Sequence, residues 1–284
     1  MSYNISSNNF DNKYLKTLLS VISEYFVTKG IGFYVIGATA RDIVIKQLTG
    51  NESRRKTRDL DIAIAIDRWD LFDEISLELS SYKGFVKSAK AKQRFIYEDV
   101  YELDLVPFGD IAKDDKNIYW PPEELIAMSI KGFSEALKDA MTIRIDDEFD
   151  IKVASLSGLF LLKLNAWCDR SITTSKDADD MIYIIDSYFD AYFEHYSTLD
   201  PYNSVFLSND FDTFVAGAIW LAIDLVQIID KELLPDYLAI LTSELAKNED
   251  SKLLEQMNSS TSLINYDRIR VAIEEIVGVL KSPI

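Results

Sequence analysis

Asp59-Leu60-Asp61-Ile62-Ala63-Ile64-Ala65-Ile66 alternates strictly, with Leu60, Ile62, Ile64 and Ile66 on one side and Asp59, Asp61, Ala63 and Ala65 on the other. Period-two patterning of this kind reads as a half-buried strand, here with two acids at its beginning. Upstream, the β-rich run Phe33-Tyr34-Val35-Ile36 stops at Gly37, and residues 38–48 take up helical spacing until Thr49-Gly50-Asn51 closes them. The unit is strand, glycine turn, helix, followed by the acidic strand.

The pattern continues outward on both sides. Residues 11–29 predict an opening helix, and residues 68–81 a second amphipathic one. Arg94 to Tyr97 and Val100 to Val106 read as two strands around a Glu98-Asp99 turn, and Met141 to Ile145 with Phe149 to Ala154 as a hairpin around Asp146-Asp147-Glu148. From Leu156 onward only helical patterns remain, at about 156–168, 176–194, 210–230, 233–247 and 264–281. The expected class is α+β, a mixed sheet flanked by helices followed by a helical carboxy-terminal domain. The division is placed at 1–152 and 153–284, with a cleft between the two.

Bulk properties narrow the chemistry. At 284 residues and 48% hydrophobic content the chain can bury a substantial core. The amino terminus lacks the basic-then-apolar order of a signal peptide and no stretch is apolar enough for a membrane helix, so a cytoplasmic location without membrane partners is expected. Cys168 is the one cysteine and His195 the one histidine, which excludes an internal disulfide and a zinc cluster and leaves oxygen ligands for any metal. Cys168 is read as a core thiol, His195 as a packing or surface residue, and Trp167, Trp220 and Tyr183, Tyr188, Tyr192 and Tyr196 as core aromatics. A formal charge of −17 gives no whole-molecule attraction for DNA or RNA. The basic run Arg54, Arg55, Lys56 and Arg58 is the nearest local exception, and such runs usually form solvated loops.

On a strand, Asp59 and Asp61 share a face while Leu60 anchors the other. Paired carboxylates suit Mg²⁺, which completes its shell with water and substrate phosphate. Asp104, on a separate strand, supplies a third acid and so the means to hold two ions for an in-line phosphoryl displacement. Gly37, ahead of a helix, leaves backbone amides and the positive helix end open to phosphate. Thr39 adds a hydroxyl, and Arg41 either reaches a nucleotide or pairs with Asp42 or Asp61. Lys163 is the sole charge in an otherwise apolar helix, so its partner is either a phosphate or a structural carboxylate. Asp177 has two readings as well, a ligand-binding acid or, with Thr174 as N-cap, an acid in the first helical turn.

Val35-Ile36-Gly37-Ala38-Thr39-Ala40-Arg41-Asp42 followed by Thr57-Arg58-Asp59-Leu60-Asp61-Ile62 resembles the polymerase-β-like nucleotidyltransferases, and the Arg41-Asp42 pair resembles the tRNA CCA-adding enzymes. Leu162-Lys163-Leu164-Asn165-Ala166-Trp167-Cys168-Asp169-Arg170 and Lys176-Asp177-Ala178-Asp179-Asp180 are similar to the abortive-infection (AbiEii-type) nucleotidyltransferase toxins of type IV toxin–antitoxin systems. The resemblance spans about residues 33–182; the second glycine of the family's pair is Ala38 here, and the gap to the acid pair is longer than in the smallest members. It implies Mg²⁺-dependent transfer of a nucleoside monophosphate from an NTP to a hydroxyl, on a tRNA 3′ end or a protein, with Mn²⁺ as the alternative ion and a cognate antitoxin as a partner. It further implies metal binding by Asp59, Asp61 and Asp104, and nucleotide contacts by Gly37, Ala38, Thr39, Arg41, Lys163, Lys176 and Asp177. A non-catalytic interaction module on the same fold is the alternative reading.

Overall fold

The computed structural model describes residues 2–10, 12–52, 58–113, 116–122 and 127–282. Two compact units divide the chain, Met1–Ser155 and Leu156–Ile284. The class is α+β as expected, with the strands in the first unit and helices alone as regular long elements in the second.

The first unit runs β1 (Ser2–Ile5), α1 (Lys13–Lys29), β2 (Phe33–Ile36), α2 (Gly37–Thr49), β3 (Asp59–Ala65), α3 (Trp69–Leu79), β4 (Phe85–Lys87), β5 (Arg94–Tyr97), β6 (Tyr101–Phe108), β7 (Asn117–Tyr119), β8 (Ala127–Ser129), α4 (Phe133–Lys138), β9 (Met141–Ile145) and β10 (Phe149–Val153). Among the described residues eight strands form one mixed sheet in the order β1-β9-β10-β2-β3-β6-β5-β4, and β7 pairs with β8 separately. Helix α1 starts where the Asn12 side chain accepts from the Tyr14 amide and ends at Gly30, whose φ of 65° supplies the left-handed cap that side-chain-bearing residues resist. The alternation expected of β3 is real. Leu60, Ile62 and Ile64 are fully buried, and Ala63 is small enough to be buried on the opposite face as well.

Two hairpins turn on acidic residues with positive φ, Glu98-Asp99 at 49° and 53° and Asp146-Asp147 at 48° and 60°. This is the twist-matched geometry usually given to Asn-Gly, so other contacts must hold the acids there. For Asp146 these are the Lys16 ammonium at 2.8 Å and the Ser7 amide at 2.8 Å, which draw its carboxyl far below the usual carboxylate range. Strand β1, unforeseen in the polar amino terminus, pairs in parallel with β9 next to that contact.

The second unit comprises α5 (Leu156–Arg170), α6 (Lys176–Tyr196), α7 (Thr213–Ile228), α8 (Leu234–Ala246), α9 (Lys252–Ser259) and α10 (Tyr266–Lys281). Helices α6 and α7 approach closely at Gly217, where a Cβ would lie 2.8 Å from the Ile185 carbonyl oxygen. The six aromatics expected in the core are buried there. Cys168 is not. It lies on the outer side of α5 and is exposed, because the apolar stripe of that helix runs through Leu161, Leu164 and Trp167 instead. No helix among the described residues is long and apolar enough to cross a membrane.

Candidate active site

Strand β3 lies parallel to β6 in a register that pairs Asp59 with Glu102 and Asp61 with Asp104. Paired residues of neighbouring strands project to the same face, so four carboxylates share one side of two adjacent strands. On the far side of β6, antiparallel β5 sets Arg94 against Asp104. The guanidinium grips Asp104 at two points, Nε to Oδ1 at 2.7 Å and one terminal nitrogen to Oδ2 at 2.9 Å, while its other terminal nitrogen donates to Glu102. The Arg94 guanidinium is held in its charged form by the hydrogen bonds to Asp104, against a smaller opposing effect of burial, with the charges of Asp104, Glu102 and Asp59 adding to the hold. Asp59 thus belongs to the same electrostatic cluster without touching Arg94 in that set of bonds.

Gly37 enters α2 with a φ of +72°, and a Cβ placed there would stand 2.1 Å from Asp61 Oδ2. On that side, therefore, the space left by the glycine is occupied by the Asp61 carboxylate. What the glycine makes possible is a carboxylate set against the first turn of a helix. No side chain caps α2 at its first residue and no acid lies in its first turn, so its leading amides and Ala38, half-buried beside Gly37, face the end where Asp61 sits.

Other sequence candidates are engaged in holding this turn. The Thr39 hydroxyl donates to the Asp59 carbonyl oxygen at 2.7 Å and fastens α2 to the start of β3. Arg41 is buried and donates from Nε to Asp42 Oδ1 at 2.8 Å, so the pairing with Asp42 is one of its engagements. Arg54, Arg55 and Lys56 lie outside the described residues. Arg58 is exposed, and its carbonyl accepts from the Glu102 amide at 3.1 Å.

Lys87, on the edge strand, donates to Ser76 Oγ at 2.9 Å and lies 4.1 Å from the centre of the Phe95 ring. Burial lowers its amine to about 8, while the charges of Asp73 and Asp104 push the other way.

In the helical unit, Lys163 pairs with Asp180 at 2.6 Å and Asp177 at 3.4 Å. Asp177 is fully buried and takes two 2.7 Å hydrogen bonds from Arg170. Burial works to raise its carboxyl, but the bonds from Arg170 and the nearby charges of Lys163 and Arg170 outweigh it and hold the group below the ordinary value. Ser175, not Thr174, occupies the N-cap position, and Asp177 is the second residue of α6. Lys176 remains exposed at the first.

An all-oxygen donor set fits a hard divalent cation, and Asp59 with Asp61 offers the one or two carboxylates that Mg²⁺ asks of a protein. The third expected ligand is not delivered in the same way, because both oxygens of Asp104 are occupied by Arg94. Among the described residues no three His, Cys, Asp or Glu side chains are gathered as a metal shell. Glu102 and Arg94 were absent from the sequence candidates. Glu102 was legible, since it lies two residues from Asp104 and so on its face. Arg94 was not, because the face it takes depends on the register of the β5–β6 hairpin.

No protein-family model matches the chain, and no curated protein does. Among solved structures, the chain overlaps the crystal structure of ANT(2")-Ia in complex with adenylyl-2"-tobramycin over 64% of its own length and 90% of that chain, at 12% identity and a TM-score of 0.40. It overlaps the solution structure of the antibiotic-resistance factor ANT(2'')-Ia over 64% and 84% respectively, at 12% identity and a TM-score of 0.35.

Proposed function

We propose that this chain is a nucleotidyltransferase that moves a nucleoside monophosphate from an NTP to an acceptor hydroxyl and releases pyrophosphate. The observation that carries the reading is the in-register pairing of Asp61 with Asp104, on the face that also bears Asp59, with Asp61 set against the Gly37 turn at the start of α2. In this reading Asp59 and Asp61 hold Mg²⁺, or Mn²⁺ in its place, and the ion supplies charge neutralisation for the triphosphate. The leading amides of α2 receive phosphate oxygens. Asp104 accepts the proton of the acceptor hydroxyl as its oxygen bonds to the α-phosphorus and the bond to the pyrophosphate oxygen breaks. Both Asp104 oxygens accept from Arg94, so Arg94 has to withdraw from Asp104 for that step, and once withdrawn it is a cation within reach of phosphate.

For the acceptor, the family resemblance supports a tRNA 3′ end or a protein, within a toxin–antitoxin pair. The charge of −17 favours the protein, or a small molecule, over a polyanion. A second reading, a non-catalytic module on the same fold, is favoured by the Arg94 grip on Asp104. Incubation with each labelled NTP and total cell extract separates the two. Asp59→Ala and Asp61→Ala should each abolish label transfer, and transfer retained by either variant overturns the assignment.

A further inference from the structure

Five large apolar side chains of the helical unit are exposed close together in sequence: Phe193 at 46%, Leu199 at 50%, Phe206 at 41%, Leu207 at 85% and Phe211 at 42%. The rings form one continuous surface. Phe193 meets Phe206 edge-on at 6.5 Å, Phe206 stacks on Phe211 at 5.4 Å, and the buried Phe189 lies beneath all three, stacked in turn on Trp220 at 4.7 Å. Because Trp220 is fully buried and its indole nitrogen donates to the Tyr202 carbonyl at 2.7 Å, the patch rests on a rigid floor.

The charge around it has one sign. From Asp177 to Asp230 the chain has eleven acidic residues and no lysine or arginine. Glu194 adjoins Phe193, Asp210 adjoins Phe211, and Asp190 lies one turn from both Phe193 and Glu194, all three exposed. Arg268 of α10, which meets this segment from elsewhere, is paired with Asp212 at 2.7 Å. An exposed aromatic surface with an anionic rim repels phosphate backbones and anionic lipid, and it repels a second copy of itself. It complements an apolar face flanked by lysine or arginine.

We propose that this patch is a docking surface for a basic amphipathic helix of a partner protein, whose apolar side covers Phe206, Leu207 and Phe211 while its cations meet Asp190, Glu194 and Asp210. The test uses the full chain and a fluorescent synthetic helix of leucine and lysine in amphipathic order, followed by anisotropy. Saturable binding is expected, weakened at least tenfold by Phe206→Ser with Leu207→Ser and, separately, by Glu194→Gln with Asp210→Asn. A scrambled peptide of the same charge should bind at least tenfold more weakly than the ordered one. Equal binding of ordered and scrambled peptides, or no response to the Phe206 and Leu207 changes, overturns the proposal. Self-association of the chain that those same changes abolish also overturns it, in favour of a second copy. Should the serine variant not fold, charge reversal through Glu194→Lys with Asp210→Lys decides instead: preference must switch to a leucine–glutamate helix, and an unchanged preference refutes the idea.

Discussion

Replacing Arg94 by alanine removes the cation that binds Asp104 and Glu102 and feels the charge of Asp59. Neighbouring side chains on paired strands lie about 5 Å apart, and at an effective dielectric of about 20 two unit charges at that distance repel by about 3 kcal/mol. Salt relieves part of this, and the cluster is only half-buried, so a net loss of about 1–3 kcal/mol at neutral pH is expected. For a unit of this size that lowers the melting midpoint by roughly 2–4 °C per kcal/mol. If the face is a cation site, divalent metal should occupy the place Arg94 leaves. At about one hundred times its dissociation constant, bound metal returns about 2.7 kcal/mol, enough to offset the loss. Thermal unfolding of both proteins with EDTA or with saturating Mg²⁺ tests this. The Arg94→Ala midpoint should fall in EDTA and recover in Mg²⁺, with a larger metal response than in the parent. Equal falls in both buffers, or no fall in EDTA, would refute the reasoning.

Gly37→Ala puts a methyl group 2.1 Å from Asp61 Oδ2 at a φ of +72°. It should cost about 1–3 kcal/mol in urea unfolding, and an unchanged midpoint contradicts the crowding described. Lys163→Met strips a cation from buried Asp177 and Asp180, at an expected cost of about 3–5 kcal/mol at pH 7. Because the Asp177 carboxyl is held below its ordinary value of 3.8, its contribution is present above that pH and lost as pH falls through the lower folded value, so the cost should shrink in strong acid. Lys87 has the opposite sign: with its amine lowered to about 8 from the usual 10.5, the folded chain binds fewer protons than the unfolded one between those values. Lys87→Met should therefore stabilise at pH 7, and the advantage should fade from pH 8 to 10.5; a constant difference across that range rules out titration of Lys87 as the cause.

The face of β3 was legible because strict alternation admits one assignment of its side chains, and Leu60 and Ile62 leave no other surface to bury. The third acid was legible for the same reason. Its partner was not, because a one-residue slip of register reverses every side chain. A two-residue Glu98-Asp99 turn would set Tyr97 against Val100 and Arg94 against Leu103, away from the acids. The actual register sets Tyr97 against Tyr101 and Arg94 against Asp104. Lys163 illustrates a different limit. Its isolation in an apolar helix announced a partner, but Asp180 comes from the next helix, and only the packing of α5 on α6 brings the two together. Strand β1 is four residues long, and its alternation is confined to Tyr3 and Ile5, too short a run to stand out in a polar segment.

Calorimetric titration of a non-hydrolysable NTP into the chain, with and without Mg²⁺, addresses the central claim most directly. Binding should require the metal and disappear in Asp61→Asn with the fold intact. Triphosphate binding that is indifferent to Mg²⁺, or that survives Asp61→Asn unchanged, would contradict an active site built on the paired acids of β3 and β6.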